Sequence, residues 1–331
     1  MNVVYLIGNG FDLNLGLKTS YNDFYNFYIN KKSTSSIVQK FKNSISSDLS
    51  KWADLELELG NYTKSIESLD ALDEIHADIV DELADYLDEI QRNFSLNEVS
   101  EVSKSNFLQD FFHPEKFLRN RDQISLNNFF TSKSTDSNVF SIISFNYTHT
   151  IEHILGIKEL ANNYKGLDIQ EKYERTLNKL FFIHHVHGSL TSNMVLGVND
   201  STQIANSSLK DDTDAKNQLV KRDCNLVMKH GVEIDCTHRL THADLICIFG
   251  SSIGQTDQIW WDLIETQLIK RDCRLIIFDR VFDISLRRSH LFNRREREVL
   301  QKFIKSVDID TISSKVYFAF NSEIFRLSDK L

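Results

Sequence analysis

Six short runs rich in β-branched and aromatic residues are spread along the chain: VVYLI at 3–7, VFSIISF at 139–145, FFIHHV at 181–186, DLICIF at 244–249, RLIIF at 274–278 and KVYFAF at 315–320. Most are apolar at consecutive positions, so both faces of each strand must be covered. Sheets covered on both faces are built from parallel strands with helical crossovers. The pattern predicts an α/β fold: a mainly parallel sheet with helices on both faces. Helical periodicity follows the first run, where Ser20 stands as an N-cap before Tyr21, Phe24, Tyr25 and Tyr28 at i, i+3, i+4 and i+7.

Residues 35–134 carry no such run. Ile37, Phe41, Ile45, Leu49 and Trp52 predict one helix. Leu72, Ile75, Ile79, Leu83, Leu87, Ile90 and Phe94 predict a second, with Asp70, Asp73, Asp78, Asp81, Asp85 and Asp88 on a face expected to be solvated. The segment reads as a large helical insertion at 35–134, within a nucleotide-binding domain made of 1–34 and 135–331. Residues 198–243 read as polar and loop-rich, and the run LRRSHLFNRREREVLQKF at 286–303 as a helix with Arg294, Arg295 and Arg297 outward.

With 41% hydrophobic residues among 331, the chain can bury a sizeable core. A formal charge of −9 argues against a general nucleic-acid binder, which presents a basic face. No run approaches 18 apolar residues, and the N-terminal segment lacks a basic n-region, so a cytoplasmic protein with no membrane partner is expected. Cys224, Cys236, Cys247 and Cys273 form no CxxC pair. They read as free thiols, and no zinc is expected on them.

Chemistry concentrates where the runs end. Gly8, Asn9 and Gly10 follow the first, with Gly16 beyond; such a loop before a helix can turn sharply and approach a phosphate, or can simply be a tight turn. Asn146 follows the second, His187-Gly188 the third, and Gly250-Ser251-Ser252 the fourth. Ligands bind beyond the carboxyl ends of the strands in open α/β sheets. A histidine there suits a general base near neutral pH. His184, His185 and His187 do not read as a metal set: alternation separates His184 from the others, and no carboxylate or cysteine stands nearby in sequence to complete the ligands.

The glycine loop GNGFDLNLGLKTSY is similar to the sirtuin loop, Asn146 resembles the asparagine of the sirtuin TQN motif, His187 its HG histidine, and ADLICIFGSS its ADLLLVxGTS strand. Closer still, YLIGNGFDLNLGLKTSYNDF, WADLE, FNYTHT, HVHGSL with VLGVND, and FGSSIGQTD resemble the AbiH family of phage abortive-infection proteins. The resemblance implies a Rossmann-like core and NAD as substrate or ligand. The CxxC zinc module of sirtuins is absent, Asp12 replaces the loop serine, and Thr148 stands where many sirtuin-like hydrolases have aspartate; protein deacylation is not expected. The expected activity is hydrolysis of NAD to nicotinamide and ADP-ribose, with Asn146 and His187 catalytic. Gly8, Asn9, Gly10, Phe11, Asp12, Thr19, Tyr21, Gly250, Ser251, Ser252 and Asp257 are the expected nucleotide-binding residues. A phage-derived trigger and a homo-oligomer are compatible with this reading. Two alternatives stand beside it: a nucleotide-binding sensor, and a magnesium-dependent nuclease using Asp12, Asp54, Glu56 and Asp257.

Overall fold

A computed structural model describes residues 1–95, 99–133, 136–173, 176–229, 231–281 and 288–327. Part of the basic run, at 286–287, and the expected domain boundary at 134–135 lie outside them. Seven strands form one sheet: β1 (Asn2–Ile7), β2 (Ser137–Ser144), β3 (Asn163–Tyr173), β4 (Thr176–His185), β5 (Leu245–Phe249), β6 (Arg274–Asp279) and β7 (Val316–Phe320). Their order is β3-β4-β2-β1-β5-β6-β7, parallel throughout except for β3, which runs antiparallel to β4. The six apolar runs all became strands. β3 was not anticipated, because NYKGLDIQEKY alternates in burial and carries charges on its open face. That is the signature of a sheet edge, where one side has no partner strand.

Fifteen α-helices lie among the described residues: α1 (Gly10–Asn14), α2 (Tyr21–Tyr28), α3 (Ser36–Ser47), α4 (Leu55–Tyr62), α5 (Leu69–Ser95), α6 (Glu101–Phe112), α7 (Asn120–Lys133), α8 (Thr150–Leu155), α9 (Ser207–Asp211), α10 (Thr213–Leu219), α11 (Lys221–Met228), α12 (Val232–Thr241), α13 (Gln258–Lys270), α14 (Ser289–Gln301) and α15 (Ile309–Ile312). Ser20 caps α2 by accepting from the Asp23 amide at 3.1 Å. The first helix of the central block ends at Ser47, so Leu49 falls in a turn and Trp52 in a separate 3-10 segment. Residues 198–243 hold four helices, α9 to α12. They were masked in sequence by their shortness and by polar faces that mimic loop composition.

Alternate strand residues feed two apolar cores. Val3, Tyr5, Ile7, Ile142 and Cys247 pack under α6, α7 and α8, while Val4, Leu6, Ile143, Ile246 and Ile248 pack under α12, α13 and α14. Helices thus cover both faces. A third core joins α2, α3, α4 and α5 to Tyr147, Leu196, Val198 and residues of α9 and α10. Asp78 on the acidic face of α5 is not simply solvated: it accepts from the Tyr28 hydroxyl at 2.7 Å and lies 3.7 Å from Lys42 Nζ. No described helix is long and apolar enough to cross a membrane.

The face under α6 is held by aromatic stacking, with Phe111 and Tyr5 ring centroids 4.5 Å apart and the Tyr5 hydroxyl donating to the Phe111 carbonyl at 2.8 Å. Both side chains are fully buried. Phe111→Ala is expected to cost about 3–5 kcal/mol in urea unfolding. Val102→Ser, on the exposed side of the same helix, is expected to change stability by no more than about 0.5 kcal/mol.

Candidate active site

Strand register brings the motif loops to one edge. Ile7 pairs with Ser144 and with Phe249, and Ser144 pairs with His185, so β1, β2, β4 and β5 end level. Backbone bonds continue the sheet into the loops: Phe145 N donates to Ile7 O, Gly8 N to Phe249 O and Val186 N to Ser144 O. β1 is also where the strand order reverses, which is the usual position of a ligand crevice in an open α/β sheet.

The glycines of the first loop have a reason visible without a ligand. A Cβ on Gly10 would lie 2.5 Å from Gly250 Cα, and one on Gly8 would lie 2.8 Å from Gly250 O. Gly10 N donates to Gly250 O at 2.7 Å. The two loops touch backbone to backbone, and side chains would wedge them apart. Beyond Gly250 the chain is strained: Ile253, a β-branched residue, sits at φ +54°. Ser251 Oγ accepts from Ile253 N at 3.1 Å, and Lys302 Nζ donates to the Ser252 carbonyl at 2.8 Å.

Asp12 is buried and accepts from both threonines of the FNYTHT loop, Thr148 at 2.6 Å and Thr150 at 2.7 Å. Burial raises its carboxyl, and hydrogen bonds from Thr148 and Thr150 partly offset this. Asn9 and Thr19 are joined by two bonds, the Asn9 amide to the Thr19 carbonyl at 2.8 Å and the Thr19 hydroxyl to Asn9 Oδ1 at 2.6 Å. Phe11 is buried among Phe107, Phe249 and Phe325. The amide of Asn146 is buried and has no hydrogen-bond partner of good geometry, although it lies close enough to Asp12 to help hold that carboxyl down.

On the other side of the edge, His187 Nε2 meets Asp257 Oδ1 at 2.8 Å, and Lys221 Nζ donates to the same oxygen at 2.8 Å and to Glu56 Oε2 at 2.7 Å. Burial would raise the Asp257 carboxyl, but Lys221 and His187 outweigh it and hold it well below the usual carboxylate range. Burial, the Lys221 charge short of a full offset, and repulsion from Asp257 leave Glu56 raised. Burial and then Lys221 lower His187, against the pull of Asp257, so its imidazole is neutral near pH 7. An ionised Asp257 can only accept, so the proton is on Nε2. Nδ1, buried and without a partner, keeps its lone pair. A cavity of about 20 Å³ lined by His187, Lys221, Thr256, Asp257 and Trp260 has room for water. Tyr21 lies near Glu56 and Tyr147, its hydroxyl pKa raised well above its usual value by burial and then by Glu56.

The family model for bacteriophage abortive infection AbiH matches residues 4–279, most of the chain and all of these loops. The chain belongs to the AbiH family. No curated protein matches it.

In this AbiH protein the expected residues divide into two groups. Gly8, Gly10 and Gly250 meet at one loop contact, and Asp12 is tied to the Asn146 loop through Thr148 and Thr150. His187 and Asp257 form a separate pair, joined to the Asn146 loop by the contact of Phe145 with the His187 ring at 5.4 Å. Of the four nuclease carboxylates only Glu56 and Asp257 meet, and they meet on a lysine. Asp54 caps α4 by accepting from Leu57 N, Asp12 faces the threonines, and the Lys221 ammonium occupies the place between Glu56 and Asp257 where a divalent cation would sit. Glu56 is buried, because Lys221 reaches it. Lys221 itself carried no signal in sequence; a lone lysine in a polar helix start is indistinguishable from a surface one. Arg295 is not outward: it forks onto Asp279 at 2.6 and 3.0 Å. The carboxylate thought absent near the histidines is Glu152, 2.8 Å from His185 Nε2; the HxxE spacing of His149 and Glu152 was its sequence signal.

Lys221→Met is expected to destabilise the fold by about 3–5 kcal/mol at pH 7, since it leaves buried carboxylates without their cation. The depressed Asp257 contributes stability that is present above its unfolded value, ~3.9, and lost as pH falls through the folded one. The gap between wild type and variant should therefore narrow below about pH 4, measured by urea unfolding across pH. Gly10→Ala, which drives a methyl into Gly250, should cost about 1–3 kcal/mol in the same assay.

Proposed function

We propose that this AbiH protein acts in abortive infection by hydrolysing NAD to nicotinamide and ADP-ribose at the carboxyl edge of β1, β2, β4 and β5. The observation that carries the reading is the His187–Asp257 pair, which leaves a neutral imidazole with a buried, unpartnered Nδ1 in a ring that lines a water-sized space. The likeness of Gly8, Gly10, Gly16, Asn146 and His187 to sirtuin motifs, and a Rossmann-like reading of the strand order, support the choice of a dinucleotide.

The chemistry is a displacement at the ribose C1′. The bond to the nicotinamide nitrogen breaks, and its electron pair neutralises the pyridinium as nicotinamide leaves. Positive charge builds on the ribose, and a water oxygen bonds to C1′. His187 Nδ1 takes the water's proton while Asp257 holds Nε2–H and stabilises the imidazolium that forms. The amide of Asn146, which has no well-formed hydrogen bond, orients the water or a ribose hydroxyl. The cavity beside His187 has room only for water, so this state is closed to a dinucleotide, whose entry requires the residues lining it to move. That closed state also fits the sensor reading, in which a nucleotide binds without turnover.

Pure protein incubated with NAD should release nicotinamide. His187→Ala and Asn146→Ala should each lower the rate at least about 100-fold with unfolding midpoints near wild type. Asp257→Asn should lower the rate similarly by favouring the wrong tautomer, but with a lower unfolding midpoint because Lys221 loses a carboxylate. NAD that raises the melting temperature yet yields no nicotinamide would replace hydrolysis with sensing. Neither effect would end the NAD assignment.

A further inference from the structure

His149, Glu152 and His185 lie beneath the Asn146 loop, apart from the His187 pair. Their ligand atoms fall within 4.8 Å of one another, and the residues are 0–1% exposed. His149 is the N-cap of α8, Glu152 lies in its first turn, and His185 ends β4. Proton bookkeeping shows what the cluster lacks. His185 Nδ1 lies 2.8 Å from the Asn146 carbonyl, which can only accept, so Nδ1 carries the hydrogen and a neutral His185 presents a lone pair at Nε2. That lone pair faces Glu152 Oε1 at 2.8 Å.

The tautomer of His149 follows from a longer chain. Ser189 Oγ donates to Asn162 Oδ1 at 2.5 Å, so in the 3.2 Å contact between Ser189 and Thr191 the threonine hydroxyl is the donor. Thr191 Oγ1 then accepts from His149 Nε2 at 3.1 Å, and His149 Nδ1 is left with a lone pair. It points toward Glu152 Oε2, 3.8 Å away, and neither atom has a hydrogen-bond partner. A proton on His185 Nε2 would satisfy one contact only. A metal ion satisfies all three residues.

We infer that His149 Nδ1, His185 Nε2 and the Glu152 carboxylate bind a first-row divalent transition ion of the zinc class. Two imidazoles and a carboxylate suit zinc, manganese or iron and are a poor set for magnesium. Each imidazole gives its other N–H to an oxygen, Asn146 O or Thr191 Oγ1, the outer-shell arrangement that fixes ligand tautomers. Ligand bonds of about 2.0–2.2 Å place donor atoms roughly 3–3.5 Å apart; the contacts to the two Glu152 oxygens are 2.8 and 3.8 Å, and the widest spacing in the set, up to 4.8 Å, must contract on loading. The buried site is a cross-link, loaded as the chain folds, that ties the loop carrying Asn146 to the end of β4. It is independent of the NAD reading.

Untagged full-length protein, purified without chelator, is expected to hold about one equivalent of zinc or another first-row ion per chain by elemental analysis. Growth on cobalt should give visible d–d absorption. Glu152→Gln and His149→Ala should each lower metal content at least tenfold, while His290→Ala, at an exposed position of α14, leaves it unchanged. Folded wild type with under a tenth of an equivalent, no cobalt band and no rise in melting temperature with added Zn²⁺ would reduce the cluster to a His185–Glu152 ion pair. Metal kept in both variants would place the ion elsewhere and overturn the assignment. Should either variant fail to fold, the cobalt spectrum of the wild type still decides.

Discussion

The functional edge depends on a contact that involves no side chain. Gly8 and Gly10 lie against Gly250, with Gly10 N bonded to Gly250 O at 2.7 Å, and the strand-end loops of β1 and β5 are fixed by that approach. Everything downstream inherits the position. The chain leaves Gly250 through Ser251 and strained Ile253, is tethered by Lys302 at Ser252 and by the Trp261 indole at the Gly254 carbonyl, and delivers Asp257 to His187. Glycine here serves close packing of backbone on backbone. A phosphate is not required to explain it, although the same loop presents the start of α1 to the crevice.

A second constraint is electrostatic. Lys221 is a buried cation on a helix start, and its stability rests on two carboxylates from distant segments, Glu56 of α4 and Asp257 before α13. The three-way contact joins the third apolar core to the sheet edge. It also sets proton affinities. The cation keeps Asp257 ionised and opposes protonation of His187, while burial, which Lys221 only partly offsets, leaves Glu56 raised. A base needs an ionised orienting partner and an uncharged ring, and this cluster supplies both without solvent.

Much of this was legible in sequence, for a physical reason. Parallel strands buried on both faces must be continuously apolar, so the six covered strands announce themselves, and glycine, asparagine and histidine at their ends stand out against that background. β3 and the helices α9 to α12 were illegible because half-exposed elements carry polar residues for solvation, and composition cannot separate them from loops. Among the candidate residues, His187, Asn146 and Asp257 were singled out from motif position, and the structure pairs His187 with Asp257. Lys221 and the burial of Glu56 were not, since ion pairs between residues 165 positions apart leave no local pattern. The two threonines that hold Asp12 were equally illegible, since they lie 136 and 138 positions away.

The two histidines of HHVHG that alternation would place on one face serve different neighbours, and backbone geometry explains why. Strand alternation ends with β4 at His185, whose ring turns toward α8 and Glu152. Val186 still bonds to Ser144, but Gly188 sits at φ +74°, where a Cβ would lie 1.7 Å from the Asn193 carbonyl oxygen. That turn folds the chain back so that Val195 N bonds to His187 O. The His187 ring is thereby carried off the strand's register onto Phe145 and Asp257. Asn146 stands between the two centres: its carbonyl faces His185, and its amide lies near Asp12 without a well-formed bond. A glycine after the second histidine is thus the element that separates a buried cross-link from a candidate base, two residues apart on one strand end.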